Sequence, residues 1–263
     1  MSSPTALAEN ASGSKTIKYM DTTTAYELWS EVYDQDGNFL QALDTIEMQF
    51  LLPEFLSSIS SPRPLTVVDL GCGTGRNTAR LLEVPGATIV GLDASPKMLE
   101  IAASKLQGLS NAAGGAQTFE LAVHDLLDRQ SPPAIALEAD ALISTLVLEH
   151  IPLPEFFRVI SQILKPGGVA LVTNMHSEMG AISQAGFVDP KTGEKVRPTS
   201  YAHRLEDVIA EAKKQGFEVS GEALERTVDE KMSEVLGARA WKWIGVTVWF
   251  GICFRKGSTA DRY

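Results

Sequence analysis

The sequence predicts an α/β fold built on a mostly parallel sheet, and three observations carry that expectation. From residue 65 onward, short apolar runs of strand length alternate with stretches of helical length. Most of these runs are continuously apolar rather than alternating, as strands buried on both faces are. The stretches between them each show an apolar face at helical spacing, so the repeating unit is βαβ.

Residues 1–16, rich in Ser, Ala, Thr and Gly, are expected to form a disordered tail. Residues 24–56 carry Tyr26, Trp29 and Tyr33, then Leu43, Ile46 and Phe50, at three- and four-residue steps, which predicts helix. Gly37 and Asn38 divide it in two. Residues 60–64, with two prolines, form a linker. Strands are expected at 65–70, 87–92, 119–123, 139–144 and 168–173, with helices at 76–82, 96–106 and 153–164 between them. Residues 217–223 and 246–254 read as two late strands with no helix between them, which suits an antiparallel edge pair. The long connection at about 177–200 contains Gly180, Gly186, Pro190, Gly193 and Pro198, and exceeds an ordinary loop.

Composition narrows the function. The chain has 263 residues, 44% hydrophobic and 21% charged, which excludes a mostly disordered chain, a collagen and a coiled coil. No apolar run reaches the roughly 18 residues of a membrane span. Residues 1–14 show neither a basic nor an apolar signal region, so no secretory leader is expected. Cys72 and Cys253 make no disulfide framework and no zinc site, and a cytoplasmic setting follows. With 23 basic against 33 acidic residues the net charge is −10, which disfavours nucleic acid as a partner. A small-molecule substrate remains.

In an open parallel sheet, ligands bind beyond the carboxyl ends of the strands, where strand order reverses. The first strand runs into Asp69-Leu70-Gly71-Cys72-Gly73-Thr74-Gly75, and alternate glycines there let the backbone turn sharply and approach a ligand. Dinucleotide spacing is not met, because Arg76 stands where a third glycine belongs. No Gly-Lys-Ser/Thr follows, so a P-loop is excluded as well. Asp93 ends the second strand, where a carboxylate accepts from the two hydroxyls of a ribose. Asp125 follows the third strand in His124-Asp125-Leu126 and is placed to accept from an adenine amino group. Ser144-Thr145-Leu146 follows the fourth strand and leads to Glu149-His150; Asn174-Met175-His176 follows the fifth.

These residues resemble the class I S-adenosylmethionine-dependent methyltransferases. Residues 67–75 look like the family's first motif, Asp93 like its ribose acid, Asp125 like its adenine-side acid, and Leu164-Lys165-Pro166-Gly167-Gly168 like the turn before its fifth strand. The resemblance implies a Rossmann-like, doubly wound, seven-stranded sheet with a C-terminal antiparallel strand pair. It also implies N-terminal lid helices at 17–60 and a methyltransferase domain at 61–263. Its cofactor is S-adenosyl-L-methionine, leaving as S-adenosyl-L-homocysteine. The residues implied to hold it are Asp69, Gly71, Cys72, Gly73 and Asn77 around the loop, with Asp93, Ala94 and Met98 after the second strand. His124, Asp125 and Leu126 would lie by adenine, Thr145 and Leu146 by the fourth strand. Tyr33 of the lid would reach the cofactor carboxylate.

Methyl transfer is an in-line displacement governed by positioning, and a base is needed only when the acceptor arrives protonated. Histidines ring the expected site, so an oxygen acceptor is favoured, with nitrogen and carbon acceptors left open; His176 comes first, and His150 and His203 after it, as the base. Two other readings share the scaffold: a cyclase or isomerase that keeps the cofactor for its positive charge, and a regulatory protein with a vestigial pocket. The intact glycines and acids speak against the last.

Overall fold

The computed structural model describes residues 17–112 and 118–258; the expected tail at 1–16 lies outside the described residues. The chain opens with β1 (Ile17–Met20), α1 (Thr22–Trp29) and α2 (Phe39–Ser57). Asp21 and Asn38 cap the two helices, accepting from Thr24 N and Leu40 N. Then come β2 (Leu65–Leu70), α3 (Thr78–Leu81), β3 (Ala87–Asp93), α4 (Pro96–Ala112), β4 (Phe119–Val123), β5 (Ala139–Thr145), α5 (Leu153–Ile163) and β6 (Leu164–Met175).

The order β4-β3-β2-β5-β6 is parallel throughout. Its direction reverses between β2 and β5, so the crevice opens above their carboxyl ends. Pleating sends alternate residues to opposite faces. Val68 and Leu70 meet Phe156, Phe157 and Ile160 of α5, whereas Leu65 and Val67 meet Met48, Leu52 and Phe55 of α2 and Ala102 and Leu106 of α4. The sheet is covered on both sides.

Residues 177–200 are not an irregular loop. They form α6 (Ser177–Ile182), β7 (Phe187–Val188) and β8 (Lys195–Pro198). β8 pairs parallel with β1 and antiparallel with β7. Trp29 stacks on Phe187 at 5.0 Å, and both pack with Ala25 and Val196. The N-terminal segment and the insertion therefore interlock. α2, by contrast, belongs to the sheet's flank: its Asp44 is fully buried and accepts from Arg76, Thr173 Oγ1 and Trp249 Nε1.

The C-terminal part adds α7 (Leu205–Lys214), β9 (Phe217–Val219), β10 (Leu224–Thr227), α8 (Glu230–Leu236) and β11 (Thr247–Lys256). β11 runs antiparallel to β6, as the resemblance implies. Two expectations need correction here. The run 217–223 is divided at Gly221, whose φ of +82° breaks the extended backbone, so β9 and β10 pair with different ends of β11 and share one position of the sheet. And a helix does stand between the late strands: α8, capped by Asp229, buries Leu236 against α2 and Trp243. Among the described residues no helix is long and apolar enough to cross a membrane.

Candidate active site

The glycine loop sits at the switch point. Gly71, Gly73 and Gly75 have φ of +74°, +54° and +78°, a backbone that L side chains rarely adopt. Gly71 N and Cys72 N donate to Leu92 O, tying the loop to β3. A Cβ on Gly71 would lie 2.3 Å from Val147, whereas one on Gly73 would meet nothing within 4 Å and would stand in the open cleft. Asp93 accepts from Gly73 N and Ser95 N, each at 2.8 Å, one on each oxygen. Arg76, in place of the third dinucleotide glycine, pairs with Asp44 at 2.6 Å and so fastens the loop to α2.

The cleft above this loop receives many of the expected residues. Gly71, Gly73, Asp93 and Ala94 form one wall, Asp125 and Leu126 another, and Thr145 and Leu146 the end of β5. Tyr33 and His150 also line it, joined by Thr23 and Tyr26 from α1. Burial raises the Asp93 carboxyl above its ordinary range. Asp125 Oδ1 accepts from Leu127 N, and its Oδ2 accepts from Thr23 Oγ1 at 3.4 Å.

Asp69, Cys72, Asn77, Met98 and His124, also expected at the cofactor, are not among the residues that line the cleft. Asp69 lies beneath the loop, where its Oδ2 accepts from Thr78 Oγ1 at 2.6 Å and burial pushes its pKa up to about 6. Asn77 is buried and donates to Thr145 Oγ1 at 2.9 Å. Cys72 fills space beside Gly91, its thiol pushed upward by burial. Met98 is fully buried in α4. His124 is buried too, its Nε2 without a hydrogen-bond partner among the described residues.

The three histidines proposed as bases part company. His176 caps α6, with Nδ1 accepting from Glu178 N, while Nε2 lies 2.9 Å from Glu225 Oε1. It lines neither the cleft nor the cavity beside it. His203 donates from Nε2 to Ile151 O at 2.9 Å and stacks on Tyr201. Only His150 reaches the cleft. Its Nδ1 is 2.7 Å from Thr199 O, and a carbonyl can only accept, so Nδ1 bears the hydrogen. Nε2 then accepts from the Tyr26 hydroxyl at 2.8 Å. Burial lowers the His150 pKa to about 4, which keeps the ring neutral.

A second cavity adjoins the first and shares Tyr26, Tyr33 and Leu146 with it. Leu146 has φ +57°, a strained conformation for leucine, stored where the two spaces meet. The inner wall is Trp29, Phe39, Met175, Met179 and Trp243. Glu149 also stands there, 3% exposed, with Oε2 unpartnered among the described residues. Burial raises its pKa to about 7. Sequence reasoning passed over Glu149 because one glutamate after a strand carries no spacing signal. Tyr26 was legible only as part of an aromatic helix face.

Residues 68–170 match the family model described as a methyltransferase domain. An uncharacterized methyltransferase of Emericella nidulans is 49% identical over 261 residues, covering 90% of this chain and 91% of its own. Two solved structures share the fold. Magnesium protoporphyrin IX methyltransferase from Synechocystis PCC 6803, with bound S-adenosylhomocysteine, has a TM-score of 0.57 at 16% identity, covering 89% of this chain and 95% of its own. The cyclase SpnF has a TM-score of 0.60 at 18% identity, covering 93% and 99%.

Proposed function

The chain belongs to the class I S-adenosylmethionine-dependent methyltransferases, and on that premise we propose that it methylates an oxygen of a small-molecule acceptor. The single observation that carries this reading is the buried Glu149 carboxyl on the wall of the cavity next to the cofactor cleft, whose Oε2 has no hydrogen-bond partner among the described residues. A general base works best with a pKa near the operating pH, and a value of about 7 meets that condition.

The cleft fits the cofactor. Each oxygen of Asp93 accepts one backbone amide, which leaves lone pairs for a ribose diol. The open space above Gly73 admits a ligand where a side chain would intrude. Asp125 would take the adenine side, and Tyr33, which lines both cavities, the methionine side. The cofactor supplies an electrophilic methyl on a sulfonium whose neutral thioether is a good leaving group. Glu149 would take the acceptor's hydroxyl proton, and neutral His150 would hold Tyr26 over the junction. Two free cysteines suit a reducing compartment such as the cytoplasm, and the net charge of −10 suits an acceptor other than nucleic acid.

The test is incubation with S-adenosylmethionine and a panel of hydroxylated small molecules, read by product mass. Methyl transfer adds one methyl to the acceptor, and Glu149→Gln should lower turnover by about a hundredfold to ten-thousandfold with cofactor affinity preserved. A converted acceptor of unchanged mass would support the cyclase or isomerase reading instead.

A further inference from the structure

The chain carries ten more acidic than basic side chains, yet the rim of the second cavity runs against that balance. Lys195, Arg239 and Lys242 all line it, from three different parts of the chain: β8, the turn after α8, and the short helical turn before β11. Arg239 and Lys242 are exposed and Lys195 is half-buried, so these cations stand at the opening while Glu149 lies at the buried end. None of the three pairs with a carboxylate among the described residues. Arg239 donates to the backbone oxygen of Asp36, and Lys242 Nζ lies 4.9 Å over the Trp243 ring. Asp36 itself is occupied, its two oxygens accepting from Trp29 Nε1 and Asn38 N. The Lys195 ammonium is held below its ordinary range first by burial and then by the neighbouring charges of Arg197, Lys242 and Arg239.

Between rim and floor the wall is aromatic. Phe39 and Trp243 stack with centroids 6.0 Å apart, and Trp29 faces the same space. The cavity's volume is ≈ 100 Å³ and its rim is open; this is less than the ~150 Å³ that admits one benzene ring, so an aromatic occupant is limited to a single ring seated partly in the mouth. Such a space has a polarity: cationic mouth, flat apolar middle, acidic end.

We propose that the acceptor is a single-ring hydroxyaryl carboxylic acid, held at the cavity mouth by Lys195, Arg239 and Lys242 with its hydroxyl turned in toward Glu149. This rests on the methyl-transfer reading above and goes further by assigning the substrate class and its orientation. A carboxylate turned inward would meet Glu149, and like charges at a buried site repel strongly. The methyl group is therefore placed on the phenolic oxygen. The C–S bond of the donor breaks, the O–CH₃ bond forms, and the hydroxyl proton passes to the Glu149 carboxylate; the acceptor's own carboxylate stays free.

The experiment uses the full chain saturated with S-adenosylhomocysteine and a calorimeter. A panel of monocyclic hydroxyaryl acids is compared, each with its neutral primary amide. At least one acid should bind ten- to a hundredfold more tightly than its amide, and added salt should narrow that gap. In Lys195→Gln/Lys242→Gln the acid's advantage should shrink by about tenfold or more, with amide and S-adenosylhomocysteine affinities unchanged. If no acid outbinds its amide, whether both bind equally or neither binds, the rim is not an anion site and the proposal fails; this comparison needs only the wild-type chain. Turnover separates the two readings. Amides methylated as well as acids would keep the methyl-transfer reading and sink this one. Selective acid binding with no methylated product would keep the rim as an anion site but sink the methyl-transfer reading, and with it the acid's role as acceptor. An alkali-labile methyl ester in place of an alkali-stable ether would overturn the orientation.

Discussion

The Tyr26 hydroxyl and His150 Nε2 lie 2.8 Å apart across 124 residues of sequence, and that hydrogen bond ties the N-terminal helix to the short turn after β5. His150 is oriented for it by Thr199 O, from the segment just after β8. Three distant stretches therefore meet over the junction of the two cavities.

Tyr26→Phe should loosen this closure without unfolding the core. The change leaves a buried imidazole nitrogen unpaired, at a cost of about 1–3 kcal/mol. Limited proteolysis within residues 17–33 should accelerate, and turnover should fall more than cofactor affinity. Proteolysis at the wild-type rate would mean that the hydroxyl does not hold the helix.

Deleting residues 1–33 should leave a folded core that turns over poorly. The cluster of Ala25, Trp29, Phe187 and Val196 is separate from the two clusters that flank the sheet. We therefore read α1 as the lid and α2 as core. A cooperative melt with most of the activity lost is expected; precipitation of the truncated chain would place α1 in the core as well.

Glu149 links stability to pH with a definite sign. Its carboxyl is raised from an ordinary 4.5 to about 7, so between those values the native state holds a proton that the unfolded state has released. Stability is therefore lost as pH rises through this window, by on the order of 3 kcal/mol for this one group. Glu149→Gln should reduce the fall in Tm between pH 5 and pH 8 measured without cofactor. Parallel curves for the two proteins would contradict the raised pKa.

Asp93→Ala should weaken S-adenosylmethionine binding by about 1.5–3 kcal/mol, because hydrogen bonds from the ribose to a charged group disappear. Gly73 N and Ser95 N lose their acceptor at the same time, which adds mobility to the loop. Calorimetric titration of a folded variant checks this, and an unchanged dissociation constant removes Asp93 from the ribose.

His176→Ala should keep wild-type turnover at every pH while losing about 1 kcal/mol of stability as a helix cap. Its ring is spent on Glu178 N and Glu225. A hundredfold loss of turnover would restore His176 as the base and displace Glu149.

The βαβ core was legible because its signals are local. Continuously apolar runs at β2, β3, β5 and β6 report burial on both faces, and the residue after each run marks the ligand edge whatever the rest of the chain does. Hence the loop at Gly71–Gly75, Asp93 and Asp125 could be placed before any coordinates, each within a few residues of its strand. Only the tertiary structure could rank the histidines. Those after β5 and β6 are both close to the ligand edge in sequence, but the pleat and the following turn send His150 into the cleft and His176 toward Glu225. The same holds for Glu149, whose raised pKa comes from burial beneath α1 and the insertion, and for the cations of the cavity rim. Lys195, Arg239 and Lys242 are scattered in sequence and lie at one opening only because β8 pairs with β1 and α8 packs under Trp243. Strand and loop chemistry is written in neighbouring residues; the charge and solvation of a site depend on what the fold brings to it from elsewhere.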